Sequence, residues 1–429
     1  MDVIRSLIDH VELPRMVPAR QIFDDTALPD VEAALRQSFK DSGVAGRIEK
    51  GARIAVGVGS RGLADLPLLV RVTVDELKKL GAEPFVVPAM GSHGGASALG
   101  QERLLAGLGV TEESVGAPVR SSMDTVELDR LANGLPVLID RLAMEADGIC
   151  VINRVKAHTS FTAPIESGLA KMITIGLGKQ KGADSCHAHG FGKMAEHVVE
   201  MAKIKLDKAK ILFGVASVEN AYDKIAVAEV VLAENILRRE EELLKISKAN
   251  MPRVLFNPID VLIVDRMGKE YSGTGADPNI TGRAPTPFIK TRQEATRLVI
   301  LDLSLKSGGN ATGMGLADII TRRLFNKIDF NATYANHITS TVMLGAKIPM
   351  IMDSDELALK CAIKTCNSPD PSNIKMVRIS DTLHLETIWI SEALMADAQS
   401  NPDVEILGEP RPWAFDPDGT ITSDMAAAA

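Results

Sequence analysis

Short apolar runs alternate with amphipathic stretches along the chain, and most of the apolar runs close in glycine or a polar residue. Asp30 precedes Val31, Ala34 and Leu35, whose spacing puts them on one helical face, so residues 28–40 are expected to form a capped, packed surface helix. RIAVGVG, β-branched and ending in glycines, reads as a strand. It is followed by LADLPLLVRVTVDELKKLGA, a helix with Pro67 in its first turn and Gly81 near its end. PFVVPAM then supplies a second strand that ends at GSHGG. Strand, helix, strand is the signature of a parallel α/β unit.

The pattern continues with short helices at 98–107 and 122–134, the strand LPVLID, and the strand GICVIN. KMAEHVVEMAKIKLD aligns Met194, His197, Val198, Met201 and Ala202 along one helical stripe, which makes His197 a core-edge residue. KILFGVASVEN reads as a strand and AVAEVVLAENILRREEELLKISKAN as one long helix with a solvated, charged face. Helical patterning stops between Pro252 and Pro258, and a second alternating series begins with DVLIVD and RLVILDLS. It runs on through the helix LADIITRRLFNKI, the capped helix SDELALKCAIKTC and the strand IKMVRIS. The expectation is two α/β domains with largely parallel sheets and an active-site cleft between them. Residues 1–255 would form the first domain and 256–405 the second, with 406–429 a tail returning to the first.

The length of 429 residues agrees with two domains rather than one core. Hydrophobic residues make up 45% of the chain and charged residues 24%, the balance of a globular protein. Lys and Arg total 48 against 56 Asp and Glu, a formal charge of −8, which argues against a general affinity for nucleic acid or anionic membrane. Cys150, Cys186, Cys361 and Cys366 show no paired framework, and MDVIRSLIDHVELPR has charges where a secretory signal needs an apolar run. Reduced cysteines and a cytoplasmic location are expected. No stretch approaches the roughly 20 apolar residues that span a bilayer. The closing SDMAAAA is of low complexity and carries no fold signal.

Candidate chemistry is concentrated in residues 153–190, NRVKAHTSFTAPIESGLAKMITIGLGKQKGADSCHAHG, directly after the strand GICVIN. His158, Cys186, His187, His189 and several lysines there can bind metal, move protons or attack a carbonyl, and a strand end suits a site loop. Lys171 has apolar neighbours that would favour its neutral, nucleophilic form, although a snorkelling surface lysine fits the local sequence equally well. His93, flanked by glycines at another strand end, reads as a site residue. Histidines on neighbouring strand ends, His93 and His158, could serve one carbon as acid and base from opposite sides. Cys186-His187-Ala188-His189 has no second ligand pair to complete a closed zinc site, so a metal carried mainly by an organic cofactor fits better.

Two glycine motifs compete with this reading. Gly57 to Gly62, GVGSRG, has the G-x-G-x-x-G spacing of a dinucleotide fingerprint, which would make the protein an NAD-dependent oxidoreductase. Glu83, about twenty residues on, precedes its strand, at the sheet edge opposite to the one where a ribose-binding acid belongs. SGGNATGMG, 307–315, has Met314 where a phosphate-loop lysine would stand and reads as a tight strand-to-helix turn, with a backbone anion nest still open.

GSHGG after a strand, then VKAH, SGLAKM and a histidine sixteen residues beyond the lysine together resemble the nickel-dependent lactate racemase family over most of the N-terminal domain. The resemblance implies a racemase or epimerase of 2-hydroxy acids acting by hydride transfer through a planar 2-keto acid. Its cofactor would be a nickel-pincer nucleotide, covalently held by Lys171, with His187 as nickel ligand, and the proteins that build this cofactor would be partners. His93 and His158 would exchange the hydroxyl proton, and Arg61 would be the family's arginine, at the cofactor and the substrate. Val58 stands where the family has aspartate, and DRMGKEYSGTGADPNITGR departs from the family's substrate segment. A changed pocket follows, with Lys269, Arg283 and Trp413 as candidate substrate contacts and a larger or more polar acid than lactate as a candidate substrate. A non-catalytic homologue that binds cofactor or a small acid is the other alternative.

Overall fold

The computed structural model describes residues 2–60, 62–370 and 372–422. The chain divides into two compact units, Asp25–Met251 and a discontinuous one made of Met1–Asp24 with Pro252–Ala429.

In the first unit, five strands lie in the order Glu83–Pro88, Arg53–Val58, Gly148–Arg154, Ile211–Glu219 and Ile225–Leu232. The first four are mutually parallel, and the last returns antiparallel to its predecessor. Side chains of Arg53–Val58 alternate between two cores. Ile54, Val56 and Val58 pack with Leu66, Leu69, Val70 and Leu77 of the helix Leu66–Lys79, while Ala55 faces Leu169, Ile173 and Leu243. Burial on both faces is why this strand reads as an unbroken apolar run. Asp30 caps Val31–Asp41 as expected, accepting the Ala33 N–H at 2.9 Å.

Two elements of this unit differ from the sequence expectation. Residues 122–134 are not a helix: Thr125–Arg130 pairs with Pro136–Asp140 as a hairpin, turned through Asn133 and Gly134 with Gly134 at φ +84°. The supposed long helix from 226 is a strand to Leu232 and a helix only from Ile236 to Asn250, because its valines pair across to Ile211–Glu219.

The second unit is built on eight strands. Met350–Met352, Ile319–Thr321, Ala295–Leu303, Ile259–Met267 and Met376–Ile379 are parallel, and Thr387–Ser391, Met16–Gln21 and Val404–Ile406 continue the sheet antiparallel. Residues 1–24 therefore belong here and not to a continuous 1–255 domain. The stretch 404–422 also stays in this unit instead of returning to the other: Val404–Ile406 pairs with Ala19–Gln21, and the Ile421 N–H reaches Asp355 at 3.0 Å. Residues 423–429 lie outside the described residues. LADIITRRLFNKI divides into the strand Ile319–Thr321 and a short helix, Arg322–Phe325, capped by Thr321. Among the described residues, no helix is long and apolar enough to cross a membrane.

Candidate active site

Beyond the carboxyl end of Gly148–Arg154 the chain forms a loop pinned at its base, where Lys156 and Ser167 exchange backbone hydrogen bonds and the Asn153 amide donates to Gly168 O at 2.9 Å. Glu166, buried beneath this loop, accepts the His158 N–H at 2.7 Å, the Ala163 N–H at 3.0 Å and the Lys248 ammonium at 2.6 Å. His158 is thus fixed by its own backbone. Its Nδ1 accepts the Ser160 N–H at 3.0 Å, and its Nε2 lies 2.7 Å from Lys171 Nζ. Burial first, then neighbouring Lys171 and His187, hold the His158 pKa well below the ordinary value, so the ring is neutral at pH 7. Because Nδ1 is an acceptor, the ring proton is assigned to Nε2, which faces Lys171 Nζ.

Lys171 ends the turn Leu169–Lys171, which runs directly into a π-helical turn, Met172–Gly176. That turn is held from below by Lys205, buried, whose ammonium donates to Ile173 O at 2.9 Å and Thr174 O at 2.8 Å. Burial lowers the Lys205 pKa to about 7. At the start of the Lys171 turn, the buried Glu240 carboxyl accepts the Ala170 N–H at 2.7 Å, and burial raises its pKa to about 7. A Cβ on Gly168 would come within 2.5 Å of Glu240 Oε1, so this close approach requires glycine.

His187 closes the helix Lys179–His187, and its Nδ1 donates to Ala183 O at 2.7 Å. The lone pair is thereby left on Nε2, the tautomer of a metal-binding imidazole. Burial depresses its pKa, the Ala183 bond opposing. Phe191 lies edge-on to His187 at 5.9 Å and 5.8 Å from His158, which also rests on Phe161 at 4.4 Å between centroids. His158, Lys171 and His187 are one group with aromatic walls.

His93 stands on another strand-end turn, exposed, with Nδ1 hydrogen-bonded to Ser60 Oγ. Ser60 belongs to GVGSRG; Arg61 lies outside the described residues. The glycines of that motif serve packing: a Cβ on Gly59 would meet Met172 Cε at 2.6 Å, and one on Gly57 would meet Val151 at 3.1 Å. Glu83 begins its strand, at the amino edge of the sheet, so the dinucleotide fingerprint lacks its ribose acid.

Three sequence candidates fall in the other unit. The Lys269 ammonium donates to Gly273 O and Asn336 Oδ1, both at 2.7 Å. Arg283 forms an ion pair with Asp318 at 2.5 Å and donates to Thr296 O, tying neighbouring strands. Trp413 stacks on Phe415 and donates to Pro14 O at 3.0 Å. In SGGNATGMG, Gly313 approaches Thr274 O so closely that a Cβ would lie 2.0 Å away, and a short strand, not a helix, follows. Cys186 is buried, with its thiol pushed up to about 12, and His197 is buried between Cys186 O and Asn133, a structural histidine as its stripe predicts.

Sequence reasoning missed Ser60, Glu166, Lys205 and Glu240, which act through long-range contacts that have no local signature. Among the described residues no group of three or more His, Cys, Asp or Glu side chains is arranged to hold a metal ion.

An imidazole–amine pair and a second imidazole with an open nitrogen are grouped past a parallel strand end, the place where α/β folds offer room for a ligand. Residues 11–198 match the lactate racemase N-terminal domain family, so this part of the chain is similar to that domain. His93, His158, Lys171 and His187 all lie within the match. Among solved structures, the lactate racemase apoprotein from Thermoanaerobacterium thermosaccharolyticum is 15% identical, with TM-score 0.46, over 89% of this chain and 91% of that one. A protein from Thermotoga maritima is 16% identical, with TM-score 0.47, over 63% and 69%. No curated protein matches the chain by sequence.

Proposed function

We propose that the protein is a racemase or epimerase of a 2-hydroxy acid that uses a nickel-pincer nucleotide. The observation that carries this reading is the grouping, inside the matched residues, of an amine 2.7 Å from His158 Nε2 with His187 in the tautomer that leaves Nε2 open. Those two groups fit the cofactor: Lys171 would hold it covalently and His187 would supply the protein's ligand to nickel. The chemistry such a group would supply when bound is reversible acceptance of hydride from the substrate's α-carbon.

The chain's own residues supply the rest. Tethering through Lys171 would remove the amine that His158 Nε2 faces and leave that N–H to hydrogen-bond the substrate oxygen. His93, oriented by Ser60 on its own turn, would exchange the hydroxyl proton. Phe161 and Phe191 keep water from the reacting centre, where electrostatic and hydrogen-bond terms strengthen. Arg61 remains the candidate carboxylate holder. Lys269, Arg283 and Trp413 have structural partners and are left out of this reading.

The test is co-production with cofactor-building enzymes, followed by peptide mass, nickel content and a screen of 2-hydroxy acids for stereochemical scrambling. A nucleotide-sized adduct on Lys171 with stoichiometric nickel is expected. His187→Ala should keep the adduct and lose nickel, Lys171→Ala should lose the adduct, and His93→Ala or His158→Ala should lower turnover by about 10²–10⁴-fold. An unmodified, nickel-free protein under conditions that load a lactate racemase would discard the reading.

A further inference from the structure

Lys179 is fully buried and sits at φ +54°, a left-handed conformation unusual for a residue other than glycine. Its ammonium lies 2.8 Å from Asp140 Oδ2, also fully buried, 2.5 Å from Pro88 O and 3.3 Å from Gln101 Oε1. Gln101, itself fully buried, turns its amide nitrogen the other way, donating to Gly91 O at 2.9 Å and His93 O at 3.2 Å. A buried ion pair stabilises a fold little compared with an apolar replacement of the same volume, so one placed on a strained backbone calls for another account. The account here is geometric. One ammonium joins the end of the strand Glu83–Pro88, the hairpin at Asp140 and the helix Ala98–Gly107 to the first residue of the helix that ends in His187. Through Gln101 it reaches the turn that carries His93. The turn and the helix also touch directly, since a Cβ on Gly91 would meet Ile175 at 3.1 Å and Ala183 at 3.4 Å.

We infer that Gln101, held by the Lys179–Asp140 pair, is a positioning residue that clamps the His93 turn against the helix bearing His187. The clamp fixes the turn by two carbonyl contacts, one at Gly91 and one at His93, and leaves the His93 ring to Ser60. Its consequence for turnover rests on the racemase reading; the positioning does not.

The test uses Gln101→Leu, which removes the clamp and leaves Lys179 on Asp140 and Pro88 O, and Gln101→Glu, which keeps an oxygen for Lys179 and loses the amide donor. Hydrogen exchange of residues 91–96 and 179–187 and the ¹⁵N–¹H signals of His93 are followed in the full chain. Exchange within 91–96 is expected to speed up about tenfold, with 179–187 unchanged and the His93 titration midpoint displaced. Parent-like protection of 91–96 and a parent-like His93 titration, in whichever variant is folded, would overturn the inference. Should Gln101→Leu fail to fold, Gln101→Glu decides. In cofactor-loaded enzyme, kcat should fall about tenfold with KM little changed. If the loaded parent turns over no 2-hydroxy acid while the exchange result holds, the racemase reading fails and the positioning stands.

Discussion

At Lys171, two hydrogen bonds decide the chemistry. An ordinary lysine, with a pKa near 10.4, is about 0.04% neutral at pH 7, and only that fraction attacks an acyl carbon. The Ser160 N–H on His158 Nδ1 puts the ring proton on Nε2, and the partner of that N–H is the Lys171 amine. Lys171 is therefore expected to react with a small activated ester at pH 7 faster than the surface lysines. His158→Phe, which keeps an aromatic ring against Phe161, should remove most of the advantage. Peptide mapping after brief labelling measures both. Equal labelling of Lys171 and an exposed lysine such as Lys193 would show that the amine is protonated and the tautomer assignment wrong.

The element that carries Lys171 is held by ionisable groups brought together from far along the chain, and Glu240 makes that visible in a pH profile. In the unfolded chain its carboxyl titrates at the ordinary value of 4.5, and in the fold at about 7. The raised carboxyl is protonated in the native state while the unfolded state is already ionised. Its contribution to stability is therefore whole below 4.5 and is lost as pH rises through 7. The shift corresponds to at most about 3 kcal/mol. Glu240→Gln keeps an oxygen for the Ala170 N–H and does not titrate, so it should be more stable than the parent at pH 8 and nearly equal at pH 5. Urea midpoints at the two values test this, and a constant gap between the proteins would refute it. Strands buried on both faces, such as Arg53–Val58, and helices with a side-chain cap, such as Val31–Asp41, were legible because their signals are local. Ile225–Leu232 and Thr125–Arg130 were not, since a valine-rich or half-buried run becomes a strand only when a neighbour offers pairing. The site divided the same way: His158, Lys171 and His187 stood out by residue type beyond a strand. Glu166, Glu240 and Lys205 act across 8, 70 and 31–32 residues, and nothing near them in sequence marks the partner.

For the whole molecule, the chain order and the compact units disagree, and that has a measurable consequence. The unit 25–251 contains its whole five-stranded sheet and both cores that cover it. The unit built on 252–429 does not contain its own sheet: Met16–Gln21 lies inside it, paired with Thr387–Ser391 on one side and Val404–Ile406 on the other. Met16, Val17 and Ala19 of that strand are completely buried. Removing it would unpair two strands and re-expose side chains worth roughly 1.5–3 kcal/mol each for the larger two, against a domain stability of about 5–15 kcal/mol. Two newly bare edges would also invite association. A fragment spanning 25–251 should therefore unfold cooperatively in urea. A fragment spanning 252–429 should be unfolded or aggregated alone and should recover a cooperative transition when 1–24 is fused to it through a flexible linker. Cooperative unfolding of 252–429 by itself would mean that the strand decorates the sheet without being needed to complete it.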